Sequence, residues 1–220
     1  MGITLYTFYP SDNCLRVETV LRELELEYEV EIVDLMKGHH KQDDYGAVNW
    51  RKQVPSLKDD DSVITESVAC VMYLQQLYGV GKKSLLPTSK KELGECLSYI
   101  AQYHEKLNPN AIAGTALFGG GTKESLAPRI AKLKQELNVW EKILDGKDYL
   151  VGDISLADFV LFPFFNSQFL LLKLAPEEYP NLFRFVSNMR VRPSVKECGY
   201  WGEGGYKVFA ALAKGVEFLA

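Results

Sequence analysis

The stretch that most limits what this chain can become runs from Asn49 to Leu74. Gln53-Val54 meets Pro55, and two short β-prone runs, Ser56-Leu57-Lys58 and Ser62-Val63-Ile64, flank Asp59-Asp60-Asp61. Turn-forming residues between β-prone runs predict a hairpin, which explains the triple aspartate better than a cation site does. A cis Val54–Pro55 bond would face the N–H and C=O of Val54 away from the sheet, where another extended chain can pair with them. About a dozen residues on, Glu66-Ser67 opens an apolar helical run. Its free N–H groups and the positive end of its dipole attract a carboxylate. The two features together fit a small peptide with an amino acid end. Ser67 takes the carboxylate, Glu66 the α-ammonium, and Val54 a peptide unit further along.

The segments around this stretch give the sheet its other strands. Ile3 to Phe8 is β-prone and mostly apolar, the pattern of a buried first strand. Ser11-Asp12-Asn13 are helix-capping residues, and Leu15, Val17, Val20, Leu21 and Leu24 follow at roughly helical spacing. Tyr28, Val30 and Ile32 alternate with Glu27, Glu29 and Glu31, which predicts a strand with one polar face. Lys37 to Ala47 is polar and irregular, a short helix or a loop. The order β-α-β, irregular segment, β-β-α is that of a thioredoxin-like sheet.

Beyond Gly79 the pattern changes. A helix over Ser67 to Tyr78 is expected to end there, and residues 81–87 have the glycine, lysine and proline content of a linker. The expected domains are 1–80, α/β, and 88–220, all-helical. Leu93, Leu97, Ile100 and Ala101 predict one helix; Leu126, Ile130, Leu133, Leu137, Trp140 and Leu144 predict another. Ser155 and Asp158 form a capping box, with Ile154 and Phe159 as its staple pair, ahead of a helix apolar nearly all round. Such a helix belongs at the centre of a core, so Asp158 is read as structural.

At 220 residues, with acidic and basic residues interspersed and a net charge of -4, the chain suits neither nucleic acid nor an anionic membrane as main partner. It shows no N-terminal signal pattern and no apolar run near the roughly 20 residues of a membrane span, so a cytoplasmic location is expected. Cys14, Cys70, Cys96 and Cys198 are far apart and read as free thiols, and no metal site is expected from them or from His39-His40.

Lys52-Gln53-Val54-Pro55-Ser56-Leu57 followed by Glu66-Ser67 resembles the glutathione site of cytosolic glutathione transferases, and Ser155-Leu156-Ala157-Asp158-Phe159 resembles the capping motif of their helical domain. The similarity covers essentially the whole chain. Ser11…Cys14…Arg16-Val17 near the start, paired with Arg192-Pro193-Ser194-Val195-Lys196 near the end, is similar to the theta, zeta and rho classes, rho above all. The resemblance implies a thioredoxin-like N-terminal domain and an all-helical C-terminal domain. It implies glutathione as co-substrate, a homodimer, and attack of the glutathione thiolate on an apolar electrophile in detoxification.

Ser11 lies between the first strand and the first helix, where its hydroxyl can either cap the helix or donate to a bound sulfur and favour the thiolate. The family match selects the second role. Tyr6, Tyr9 and Cys14 do not fall where the tyrosine or cysteine of other classes would align. By the same resemblance His40 and Lys41 hold the glycine carboxylate of glutathione, with Lys52 adding to a positive rim. The glutathione set is therefore His40, Lys41, Lys52, Gln53, Val54, Pro55, Glu66 and Ser67. The second substrate is expected between the domains, against Tyr103, His104, Asn108, Phe118, Phe165, Phe169 and Trp201. Gly199 to Gly205 is either a lid or a seal on the core. The alternatives are a glutathione-dependent redox enzyme using Cys14, an isomerase, and a binding protein without catalysis.

Overall fold

The computed structural model describes residues 2–81, 83–118, 121–202 and 205–214. The chain forms two compact units, Met1–Ser84 with Pro193–Val208, and Leu85–Arg192 with Phe209–Ala220.

The first unit is built on a four-stranded sheet of order β2-β1-β3-β4, formed by β1 (Ile3–Thr7), β2 (Tyr28–Ile32), β3 (Ser56–Asp59) and β4 (Ser62–Thr65). β1 runs parallel to β2 and antiparallel to β3, and β3 and β4 form the expected hairpin, with Asp60 left-handed at φ 51 in the turn. Ile3, Leu5 and Thr7 alternate inward, and Leu5 and Leu57, cross-strand partners, are fully buried. β2 is an edge, so its apolar residues gain less than alternation predicts: Val30 and Ile32 remain 37% and 48% exposed. Helices α1 (Asp12–Glu23) and α3 (Ser67–Leu74) pack on each other, and α3 also touches β3 and β4. Tyr73 and Tyr78 donate to Asp59 Oδ2 at 2.9 and 2.6 Å, tying this region to the hairpin. The polar segment before β3 resolves into a single turn, His39–Lys41, and a short helix α2, Asp43–Val48. Helical hydrogen bonding after Leu74 widens into a π-turn over Gln75–Gly79, where the sequence predicts one continuous helix.

The second unit is helical: α4 (Lys90–Gln102), α5 (Ala113–Phe118), α6 (Lys123–Ile143), α7 (Leu156–Leu172) and α8 (Pro180–Arg190). α7 is buried along nearly its whole length and packs against α4, α5 and α8. Phe165 at its centre meets Trp140 of α6 and Phe185 of α8, with ring centroids 5.8 and 6.2 Å away. Asp158 starts the helix by accepting Ser155 N–H at 2.7 Å, Ser155 O–H at 2.8 Å and Leu150 N–H at 2.8 Å. Another helix start closed by a carboxylate is that of α8, where Glu141 accepts the N–H groups of Asn181 and Leu182 at 2.8 and 2.9 Å. Both arrangements satisfy donors that a buried helix start would otherwise leave bare.

A late stretch returns to the first unit. Helix α9 (Pro193–Lys196) packs on α1, and a turn over Gly199–Trp201 follows it. Tyr200 is fully buried, so its part of Gly199 to Gly205 closes the core; residues 203 and 204 lie outside the described residues.

Candidate active site

Three chain segments converge at one end of the first unit. The Val54–Pro55 peptide is cis, and Val54 stands just before β3, outside the ladder. The residue before it is pinned: the Gln53 carbonyl accepts Tyr45 O–H at 2.6 Å and Asn49 Nδ2–H at 2.8 Å. Tyr45 and Asn49 are both buried, and Asn49 also reaches Ser56 Oγ at 3.0 Å. The polar groups of this loop are thus spent on holding its shape, and Val54 itself stays half exposed.

β4 leads directly to the second segment. Glu66 is the N-cap residue of α3, at φ 67 and ψ 114, with an exposed side chain that makes no cap hydrogen bond. A left-handed φ at a non-glycine residue is held against a cost of about 1–2 kcal/mol. Ser67 beside it is buried, and its Oγ accepts from Arg16 Nη1 at 2.7 Å. The same Nη1 donates to Asn13 Oδ1 at 2.6 Å, and Ser67 Oγ itself lies 3.5 Å from that oxygen. Arg16 is fully buried. Its guanidinium therefore joins the first turn of α1 to the first turn of α3, two positive helix ends that share one edge of the site.

Ser11 forms the third segment. It is the N-cap residue of α1 in extended conformation, half-buried, and its side chain makes no cap hydrogen bond. The capping role that competes for this hydroxyl at the sequence level is thus not taken up. Cys14 is a poor rival: it is 1% exposed, its Sγ accepts Phe8 N–H at 3.4 Å, and burial pushes its thiol above the ordinary value. A buried, protonated thiol is a weak nucleophile.

The basic residues gather on the loop side. Lys52, left-handed at φ 55, donates from Nζ to the Lys41 carbonyl at 2.8 Å and lies 3.9 Å from Asp43. Partial burial and the neighbouring charges of Lys41 and Lys52 lower the pKa of His40. The structure therefore brings His40, Lys41 and Lys52 together, and separately Ser67 with the start of α1. In the helical unit Tyr103 is buried against Phe164, whereas His104 and Asn108 are exposed. Phe165 and Phe169, read as pocket residues, are instead core: Phe165 is fully buried among Trp140, Phe164 and Phe185, and Phe169 packs against Phe183. Aromatic residues at helical spacing gave no signal to separate the two fates. The side chain of Phe118 lies outside the described residues. Trp201 is half-buried beside Tyr200 and Tyr206. Sequence reasoning missed Asn13, Tyr45 and Asn49. The sequence marks Asn13 only as one of the helix-capping residues beside Ser11.

All four cysteines are free and buried. Among the described residues no group of three or more His, Cys, Asp or Glu could hold a metal ion, and no helix is long and apolar enough to cross a membrane.

A thioredoxin-like sheet with a cis-proline loop and two helix N-termini at one end, in a chain with a separate helical unit, is the architecture of the glutathione transferases. The glutathione S-transferase N-terminal domain family matches residues 1–76, and the glutathione S-transferase C-terminal domain family matches residues 121–198. The chain is 34% identical over 170 residues to human glutathione S-transferase theta-1, covering 73% of this chain and 70% of that protein. It is 35% identical over 165 residues to glutathione S-transferase 3 of Zea mays, covering 71% and 73%. A glutathione transferase homologue from Drosophila mojavensis, solved with bound glutathione, superposes with a TM-score of 0.85 at 25% identity, covering 98% of this chain and 97% of that one. The chain belongs to the glutathione S-transferase family and is a glutathione transferase.

Proposed function

We propose that this enzyme joins the thiolate of glutathione to apolar electrophiles, with the Ser11 hydroxyl holding the sulfur as its anion. The observation that carries the reading is the Ser11 side chain at the start of α1, which leaves the helix uncapped, in the unit that also holds the cis Val54–Pro55 loop and Ser67. An O–H donor and a helix N-terminus both favour RS⁻ over RSH, which lowers the thiol pKa and raises the nucleophile concentration at neutral pH. The serine stabilises the anion and does not itself attack. The proton leaves to solvent on binding, the sulfur forms its bond to the electrophilic carbon, and that carbon's leaving group or π-electron pair departs to the product side. Binding and orientation supply the rest of the rate.

In this reading Glu66 pairs with the α-ammonium of glutathione, and Ser67 with the N–H groups of α3 takes the adjoining carboxylate. Val54 pairs with the cysteinyl peptide unit, with Gln53 and Pro55 shaping its loop. His40, Lys41 and Lys52 hold the glycine carboxylate. The left-handed Glu66 supports this assignment, since such strain gathers at ligand sites. Tyr103, His104, Asn108, Phe118 and Trp201 remain the candidate contacts for the electrophile. The enzyme is further proposed to be a cytoplasmic homodimer of the theta, zeta and rho group, acting in detoxification, with 1–80 and 88–220 as its domains along the sequence and 81–87 as linker, residues 193–208 of the second returning to the first compact unit. The buried Cys14 disfavours a cysteine-based redox reaction.

The test is glutathione conjugation to a chloronitrobenzene by wild type, Ser11→Ala and Cys14→Ala. Ser11→Ala is expected to lower kcat about a hundredfold, the scale of one lost transition-state hydrogen bond, with KM for glutathione little changed. Cys14→Ala should keep its rate. The reverse pattern would establish the cysteine reading, and absence of any glutathione binding would leave a transferase-like fold without this function.

A further inference from the structure

The turn that carries Ser11 is walled by chain from the far end of the sequence. Tyr9-Pro10-Ser11 joins β1 to α1, and Ser11 N–H donates to the Phe8 carbonyl at 2.9 Å. Against it lies the turn after α9. Gly199 N–H donates to Glu18 Oε1 at 3.0 Å, and Glu18 is 2% exposed, seven residues after Ser11 on α1. The same Glu18 oxygen accepts from Tyr28 O–H at 3.2 Å and Arg22 Nε at 3.4 Å. One helical stretch further on, the buried carboxylate of Glu23 accepts Ser194 O–H and pairs with Lys83 Nζ at 2.9 Å. Two buried acids of α1 thus fix the 193–199 segment.

That fixed segment meets the Tyr9 ring at Gly199. A Cβ there would overlap Cε1 and Cζ of Tyr9 and lie 2.7 Å from its hydroxyl oxygen. The backbone of Gly199 is held on both sides, by Glu18 at its N–H and by Gly202 N–H at its carbonyl at 3.0 Å, so any side chain must displace the ring. Between the ring and Ser11 stands only Pro10, whose φ is locked, so the turn has little freedom to absorb the movement.

We propose that Gly199 is a positioning residue for this reaction: its bare backbone seats the Tyr9 ring, and through that ring it sets where the Ser11 hydroxyl points. The inference rests on the reading of Ser11 as the thiolate-stabilising group.

The experiment is the pH dependence of the single-turnover conjugation rate at saturating glutathione, whose acidic limb reports the thiol of the bound peptide. Wild type, Ser11→Ala, Gly199→Ala, Tyr9→Ala and the Tyr9→Ala/Gly199→Ala double variant are compared. Gly199→Ala is expected to move the limb up by about one pH unit, about tenfold in rate below it, with glutathione KM within about threefold of wild type. In the Tyr9→Ala background Gly199→Ala should have no further effect, because its action runs through the ring. A Gly199→Ala protein that melts earlier but keeps its limb overturns the proposal, as does an undiminished Gly199→Ala effect without the ring. If Ser11→Ala moves the limb and Gly199→Ala does not, only the positioning role falls. If Ser11→Ala leaves the limb in place, the Ser11 reading fails and this inference with it. Should Gly199→Ala not fold, Tyr9→Ala alone decides, since it adds no clash: a raised limb supports the proposal and an unmoved one refutes it.

Discussion

Ser67 opens α3, where the sequence predicts a helix start. Its place at the head of an apolar run marks it as a helix-start ligand for a carboxylate, and the structure adds the Arg16 guanidinium at 2.7 Å from its hydroxyl. Ser67→Ala removes a hydroxyl from the candidate glutathione site and takes an acceptor from a buried arginine. Hydrogen bonds to charged groups are worth about 1.5–3 kcal/mol, so glutathione affinity should fall about ten- to a hundredfold. Calorimetric titration checks this, and an unchanged affinity would remove Ser67 from the site. The structural positions of Ser11, Val54, Glu66 and Ser67 were legible because they depend on the local chain: before a helix, before a proline, after a hairpin. The hydrogen-bond networks of Arg16, Asn13, Tyr45 and Asn49 were not. Their partners are chosen by which side chains the packed helices and loops bring together, as with Arg16 and Ser67, which are 51 residues apart. Phe165 was misread for a related reason, since its burial depends on Trp140 and Phe185 from other helices.

Helices and strands were legible where a period or a cap announced them. α7 is the clearest case, with its capping box and its burial both readable. Asp158 accepts three hydrogen bonds there while fully buried, so Asp158→Ala strands two backbone N–H groups and a hydroxyl and should cost about 3 kcal/mol or more. A chemical denaturation curve measures it. Burial also raises the Asp158 pKa from 3.8 to about 6, against the pull of its hydrogen bonds with Leu150 and Ser155. The folded chain then holds a proton that the unfolded chain has released. This contribution to stability is complete below about pH 4 and is lost as pH rises through about 6, by about 3 kcal/mol in all. The denaturation midpoint should drop over that window in wild type and lack this step in Asp158→Asn. The same step in both proteins would assign it elsewhere. What the element patterns could not show is the return of 193–208 to the first unit. That return is made by Ser194 with Glu23 and Gly199 with Glu18, contacts spanning 171 and 181 residues, and no local period encodes such pairings. The half-exposed β2 was hidden likewise, because alternation gives a strand's faces but not whether it is an edge.

For the whole molecule, the change of pattern near Gly79 separated an α/β part from a helical part because a period of two and a period near 3.6 cannot describe the same element. Glutathione binding to the folded chain alone must stabilise it. At a concentration one hundred times Kd the gain is about 2.7 kcal/mol, which for a chain of this length raises Tm by about 5–10 °C. Calorimetry with and without glutathione tests that, and an unmoved Tm at a concentration saturating the binding isotherm would contradict binding to the native state. Sedimentation equilibrium should give twice the chain mass if the proposed homodimer forms.

The central claim, that Ser11 holds glutathione as its thiolate, is tested most directly by ultraviolet difference titration of bound glutathione against pH in wild type and Ser11→Ala. Wild type should hold the thiolate at neutral pH, and Ser11→Ala should bind glutathione with similar affinity yet show the thiol titrating about one to two pH units higher. Thiolate retained unchanged in Ser11→Ala, or glutathione bound as the neutral thiol in both proteins, would contradict the account.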